Sequence, residues 1–331
     1  MEDLGYGDTI LASVVLNYYQ DKYPDADIGV FAKFPHLFEF NLFYMPPKFY
    51  SQSQGHDVDF FEKYAQPADI IVRTDYWRYQ IYCNMPKHAL LMMQETAGIK
   101  PAKWIYPKIN LSDKDKEFGQ LLVNKLKKPV ITIHAQTARN HKNWPVNKWR
   151  ELIERLKKNY DFVQIGQGHE KLIDGAINCL GKLSFHQSLA IMKYSKLFIG
   201  SDSVWNHATS VAKTKGVVMF GNTDPASFGY NHNYNIFKPE EIDCCPCGRP
   251  VPTLYDYVRP VMGNAESWSC GNPLCMEAIS IDDVLTGIEE VQDDAKFNFK
   301  DFGPGIANNQ KVMTNNEDTR EAEESVPKWN N

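Results

Sequence analysis

The sequence predicts an α/β protein made of two Rossmann-like, doubly wound domains that face a cleft. Three observations carry this. From Pro129 to Gly221, apolar segments of strand length alternate with segments of helical period, the pattern of a parallel sheet covered by helices. With 331 residues the chain is long enough for two such units. Its sharpest motifs follow a strand or open a helix, so each can face a crevice at the carboxyl ends of strands.

The elements follow in order. Residues 9–23 read as a helix, with Ile10, Leu11, Val14, Val15, Tyr18 and Tyr19 at helical spacing. Tyr23-Pro24-Asp25 stops it, and residues 27–32 continue as a buried strand. Residues 68–73 are a second strand, and 87–97 a helix closed by Gly98. A connection from Pro101 leads to a helix start at Ser112-Asp113, and the helix runs to Lys128. Strands are then expected at 129–134, 161–166, 196–200 and 216–221, separated by helices at 149–158, 185–194 and 203–212. These readings place an N-terminal domain at 1–127, a C-terminal domain at 128–292, and a flexible polar tail at 293–331, with room for a strap helix before it.

Hydrophobic residues make up 43% and charged residues 23% of the chain, as in a soluble globular protein. The net charge of −5 argues against a nucleic-acid partner, and Lys125-Leu126-Lys127-Lys128 reads as a solvated helix end. No apolar run approaches the roughly 20 residues that span a bilayer. Met1 to Gly5 resembles no signal peptide, so the cytoplasm is the expected compartment. Five of the seven cysteines fall between Cys244 and Cys275.

Five motifs carry chemistry. Phe198 to Ser210 is an apolar strand that ends in Gly200-Ser201-Asp202-Ser203 and enters a helix. Backbone N–H groups and the positive end of the helix dipole converge there, which suits a phosphate; a plain helix cap gives the same sequence. Thr137 to Pro145 offers hydroxyl, guanidinium and ammonium groups in Thr137, Arg139 and Lys142, suited to a pyrophosphate or simply to solvent. Lys142 would neutralise charge growing on a leaving diphosphate. Gly166-Gln167-Gly168-His169-Glu170 follows a strand; its glycines permit close backbone approach, and Glu170 can accept from ribose hydroxyls. Asp8, in Gly7-Asp8-Thr9, is either a helix cap or a base facing the cleft. Cys244 and Cys247, with Cys270 and Cys275, form two pairs that can wrap one tetrahedral zinc or iron; reduced thiols and disulfides are the alternatives.

Taken together these residues resemble glycosyltransferase family 9, the ADP-heptose heptosyltransferases of lipopolysaccharide and protein glycosylation. The resemblance rests on Lys142-Asn143-Trp144-Pro145, on Gly166 to Glu170, on Asp202 to His207, and on Phe220-Gly221-Asn222-Thr223-Asp224-Pro225, in the family's order. It implies a GT-B fold. It also implies an inverting transfer, without a catalytic metal, of a heptose or related sugar from an ADP-sugar to a hydroxyl of a glycan or protein acceptor. Asp8 would be the general base and Lys142 the phosphate-binding cation. Thr137 and Arg139 would line the same loop, and Glu170 would hold the ribose. Asp202 and His207 would position donor sugar and diphosphate, with Ser203 and Val204 offering backbone N–H groups. The cysteine cluster would hold structural iron or zinc. Peripheral membrane association would come through a lipid-linked acceptor. Two departures from the family pattern are expected to show: Val204 stands where the family has glycine, and no apolar strand precedes Gly7. A non-catalytic nucleotide-sugar or glycan-binding relative is the alternative.

Overall fold

A computed structural model describes residues 5–32, 34–38, 48–51, 70, 72, 74, 87–138, 140–242 and 273–308. The first half opens with α1 (Tyr6–Lys22), then β1 (Gly29–Ala32), β2 (Lys48–Ser51) and α2 (Ala89–Thr96). β1 and β2 pair in parallel. Leu11, Val14 and Val15 of α1 pack against Leu90 and Met93 of α2. The strand expected at 68–73 lies largely outside the described residues.

The second half begins with α3 (Asp113–Asn124), capped by Ser112, whose Oγ accepts the Asp115 N–H at 3.1 Å. There follow β3 (Val130–His134), α4 (Val146–Leu156), β4 (Asp161–Gln164), β5 (Ile177–Asn178), α5 (Phe185–Tyr194), β6 (Leu197–Ser201), α6 (Val204–Ala212), β7 (Gly216–Phe220), α7 (Pro225–Phe228), β8 (Tyr234–Phe237), α8 (Leu274–Ala278) and α9 (Ile281–Glu290). The six strands β3 to β8 form one sheet in the order β5-β4-β3-β6-β7-β8, with every pairing parallel. The chain winds outward from β3 to one edge, returns beside β3 as β6, and winds to the other edge. The reversal opens a crevice beyond the carboxyl ends of β3 and β6.

Side chains alternate across this sheet. Ile131, Ile133, Ile199, Val217 and Met219 face Trp149 and Leu152 of α4 and Val284 and Ile288 of α9. Val130, Val163, Phe198, Val218 and Phe220 face Leu189 and Met192 of α5 and Ala208 of α6, and Ile10 of α1 joins that layer. The first helix is thus packed onto the second sheet's helical layer.

Helix α3, which the sequence places in the first domain, lies against α5. A Cβ on Gly119 would meet the Ala190 carbonyl carbon at 2.6 Å, so the two helices cross almost backbone to backbone. Residues 293–308, expected as the start of a flexible tail, are packed instead. Phe297 is buried against Tyr234, Gly305 N–H donates to Gly229 O at 2.9 Å, and Asn308 Oδ1 accepts the Asn235 N–H at 2.6 Å. Three phenylalanines, Phe297, Phe299 and Phe302, anchor a segment whose overall polarity hides them. No helix among the described residues is long and apolar enough to cross a membrane.

Candidate functional site

At the end of β6 the Asp202 N–H donates to Met219 O at 3.0 Å, the last bond of the ladder. Ser203 then turns the chain into α6, its Oγ accepting the Trp205 N–H at 3.3 Å. The Asn206 N–H donates to Ser203 O at 3.1 Å, which closes the first turn and sets the positive end of the α6 dipole at the crevice. Val204 is the first helical residue and is half-buried.

At the end of β3 the chain leaves His134 and enters the 137–145 loop. Asn143 closes the loop on itself: its Oδ1 accepts the Thr137 N–H at 2.6 Å and its amide donates to Thr137 O at 3.3 Å. Trp144 anchors it, buried edge-to-face on Trp149 with Nε1–H donating to Ile279 O at 3.0 Å. So held, the loop presents Lys142, whose Nζ lies 2.5 Å from Asp202 Oδ2. The Asp202 side chain is 7% exposed and that of Lys142 21%. Arg139 lies outside the described residues.

Past β4, Gly166 adopts φ +146°, a conformation that disfavours a side chain, and a Cβ there would overlap the Glu170 carboxylate. The turn thereby folds Glu170 back under Gly166, where Oε1 accepts the Gln167 N–H at 2.6 Å. Oε1 also lies 3.4 Å from His134 Nε2, and His134 Nδ1 lies 3.4 Å from Ser203 Oγ. His134 therefore links the Glu170 turn to the cap of α6. Glu170 Oε2 is buried with no hydrogen-bond partner among the described residues, a costly condition that a ligand hydroxyl would relieve.

His207, one turn into α6, is buried, and its Nδ1 lies 2.7 Å from the Tyr230 hydroxyl. Burial pushes its pKa down to about 4, against a pull upward from Asp202, so the ring is neutral. The first turn of α1 closes this side. A Cβ on Gly7 would sit 2.9 Å from His207 Cδ2 and 3.7 Å from the Val204 Cα, so the absence of a side chain at Gly7 lets the two helix starts approach. Asp8 follows at once. Its Oδ2 accepts the Gly5 N–H at 2.7 Å, so the carboxylate caps its own helix in this state.

The structure thus brings Lys142, Asp202, Ser203 and Glu170 together at the crevice, with Thr137 framing the loop. Val204 and His207 lie against the turn that carries Asp8. Sequence reasoning missed His134 and Tyr230; the one available signal was a histidine closing an apolar strand at the switch point. It also missed His88, which accepts the Leu90 N–H on Nδ1 at 3.2 Å and donates from Nε2 to Gly229 O at 3.0 Å. Of the cysteine set, Cys244, Cys247 and Cys270 lie outside the described residues. Cys275 is buried in α8, its Sγ 2.8 Å from where a Gly221 Cβ would stand. Among the described residues no group of three or more His, Cys, Asp or Glu is placed to hold a metal.

A crevice with a neutralised carboxylate, a fixed ammonium and a helix N-terminus suits a diphosphate. Comparisons with known proteins point to one family. The model of glycosyltransferase family 9 (heptosyltransferase) matches residues 87–255. Lipopolysaccharide heptosyltransferase 1 of Escherichia coli K12 is 28% identical over 119 residues, 33% of this chain and 37% of that protein. The match thus spans little more than a third of that relative's length. The glycosyl transferase family 9 structure from Veillonella parvula superposes with a TM-score of 0.64 at 14% identity, covering 87% of this chain and 94% of that one. The iron-containing dodecameric glycosyltransferase TibC of enterotoxigenic E. coli does so with a TM-score of 0.63 at 16% identity, covering 88% of this chain and 74% of that one. The fold is GT-B, and with the family's motifs assembled at the crevice of its second sheet, the chain belongs to glycosyltransferase family 9.

Proposed function

We propose that this chain transfers a heptose, or a closely related sugar, from an ADP-sugar to a hydroxyl of a glycan or protein acceptor, with inversion. The observation that carries this is the buried, unpartnered Glu170 Oε2, joined through His134 to the Ser203 cap beside the Lys142–Asp202 pair. The arrangement offers a carboxylate oxygen for ribose hydroxyls a short distance from a cation and a helix N-terminus for the diphosphate.

In the proposed reaction the acceptor oxygen attacks the anomeric carbon in line, and the bond to the diphosphate breaks. Asp8 takes the hydroxyl proton after releasing the Gly5 N–H. The charge that grows on the leaving diphosphate is met by Lys142 and the start of α6, without a catalytic metal. Arg139 and Thr137 border the same phosphates. The reading assigns residues 1–127 to acceptor binding and 128–292 to the donor. It places the enzyme in the cytoplasm, at the membrane surface where its acceptor is lipid-linked. A structural iron or zinc on Cys244, Cys247, Cys270 and Cys275 is part of the proposal, tested by elemental analysis of the purified chain.

The deciding experiment is ADP release from ADP-heptose with candidate acceptors, in the presence and absence of EDTA. Asp8→Asn keeps an acceptor for the Gly5 N–H and removes the base. It is expected to lower kcat by about 10²–10⁴-fold while ADP binds as before. A second reading, donor binding without turnover, is favoured by the engagement of Asp8 as a cap. It holds if ADP-heptose binds, no acceptor supports release, and Asp8→Asn changes nothing.

A further inference from the structure

Tyr230 is fully buried, and burial holds its phenol well above the ordinary range, so it keeps its proton. Its ring is held in place by stacking on Phe302 at 5.4 Å and 15° and on His232 at 5.4 Å and 19°, with His88 at 5.2 Å. Among the described residues its hydroxyl has one hydrogen-bond partner, His207 Nδ1 at 2.7 Å. A buried O–H must place its proton on an acceptor, and here that acceptor is Nδ1. A neutral imidazole that accepts on Nδ1 carries its own proton on Nε2. That edge of the ring is the one against α1: the position a Gly7 Cβ would take is 3.4 Å from Nε2.

We propose that Tyr230 is a positioning residue that fixes His207 as the Nε2–H tautomer, so that His207 enters the crevice between α1 and α6 as a hydrogen-bond donor to an oxygen of the bound nucleotide diphosphate-sugar. The proposal rests on the reading of this crevice as the donor site. His207 is then a neutral donor throughout the reaction and takes no proton from the acceptor. The strap at 293–308 has a part in this, since Phe302 stacks on both Tyr230 and Tyr106.

The test is two-bond 1H–15N correlation of the ligand-free full-length chain with labelled histidine, the His207 signals being assigned by their loss in His207→Gln. The Nε2–H pattern is expected at neutral pH. Tyr230→Phe keeps the ring stack and removes only the hydroxyl. It is expected to mix the tautomers and to lower kcat by about tenfold, a fraction of what one donor to a developing oxyanion contributes, with donor KM changed less. An Nδ1–H pattern in the native chain overturns the proposal, whether or not the variant folds; so does Tyr230→Phe with unchanged tautomer and kinetics. ADP titration of the same samples keeps the two ideas separate. An Nε2–H signal with no ADP binding sinks the donor-site reading and leaves the Tyr230 tautomer lock standing.

Discussion

Lys142 Nζ stands 2.5 Å from Asp202 Oδ2, so the cation of the β3–α4 loop and the carboxylate of the β6–α6 junction form one ion pair at the mouth of the crevice. A diphosphate entering there meets an ammonium already fixed in place, beside a carboxylate whose charge is already offset.

Lys142→Ala is expected to reduce kcat by about 10²–10³-fold, the usual loss on removing one group that stabilises a developing oxyanion. It also strands the Asp202 carboxylate. Chemical denaturation is expected to show a loss of about 1–2 kcal/mol, less than for a fully buried pair because Lys142 keeps part of its length in water. Wild-type turnover in this variant would remove Lys142 from the mechanism.

Glu170→Gln separates binding from folding. The carboxylate loses its charge-assisted bonds to a ribose, about 1.5 kcal/mol or more, and ADP affinity by calorimetry falls roughly tenfold or further. Without ligand the melting temperature is not lowered, because the substitution removes a buried charge whose Oε2 has no partner. A drop in melting temperature with intact ADP binding would make Glu170 a structural residue only.

Gly119→Leu strikes far from the site. Its side chain would be driven into the Ala190 backbone at the α3–α5 crossing, and overpacking of this kind costs about 1–3 kcal/mol. Calorimetry should show the lower melting temperature, while ADP affinity measured well below it stays at the native value.

Three buried histidines set an acid limit. Burial pushes His88 and His232 down to about 3 and His207 to about 4. In the unfolded chain they titrate near about 6.5, so below that pH the unfolded state binds more protons and stability falls. Their stabilising contribution is complete above about pH 6.5 and is lost as the pH drops toward 4 and 3, at about 1.4 kcal/mol per pH unit for each histidine. Urea unfolding from pH 7 to pH 5 should show this slope, and His232→Phe should flatten it. A stability that does not fall on acidification would mean that these rings are not buried neutral.

Much of the second half was legible because its signals are local. The strands around Ile131, Val163, Ile199 and Val217 are short segments rich in apolar and β-branched residues, and the helices between them carry their own caps, such as Ser184 with Gln187 and Ser203 with Trp205. Strand β8 was not legible. Asn233 and Asn235 make it look like a turn, and the Asn235 N–H finds its acceptor in Asn308, more than seventy residues on. β5 is a two-residue exposed edge with no pattern to read. In the site, Lys142, Glu170 and Asp202 stood out because each lies in a compact motif. His134 and Tyr230 did not, since His134 finds Glu170 and Ser203, and Tyr230 finds His207, only once the sheet has brought distant segments together.

The close approach at Gly7 has a consequence for how the two halves of the chain hold each other. It sets the amino end of α1 against the amino end of α6, and two positive poles face each other there, each worth about 0.3–1 kcal/mol toward a nearby charge. Asp8 and Asp202 are the resident counter-charges. On the proposed reading a nucleotide diphosphate would be mortar between the halves: seated, it would turn a mutual repulsion into a shared attraction, and as ADP departed the seam that it held would loosen.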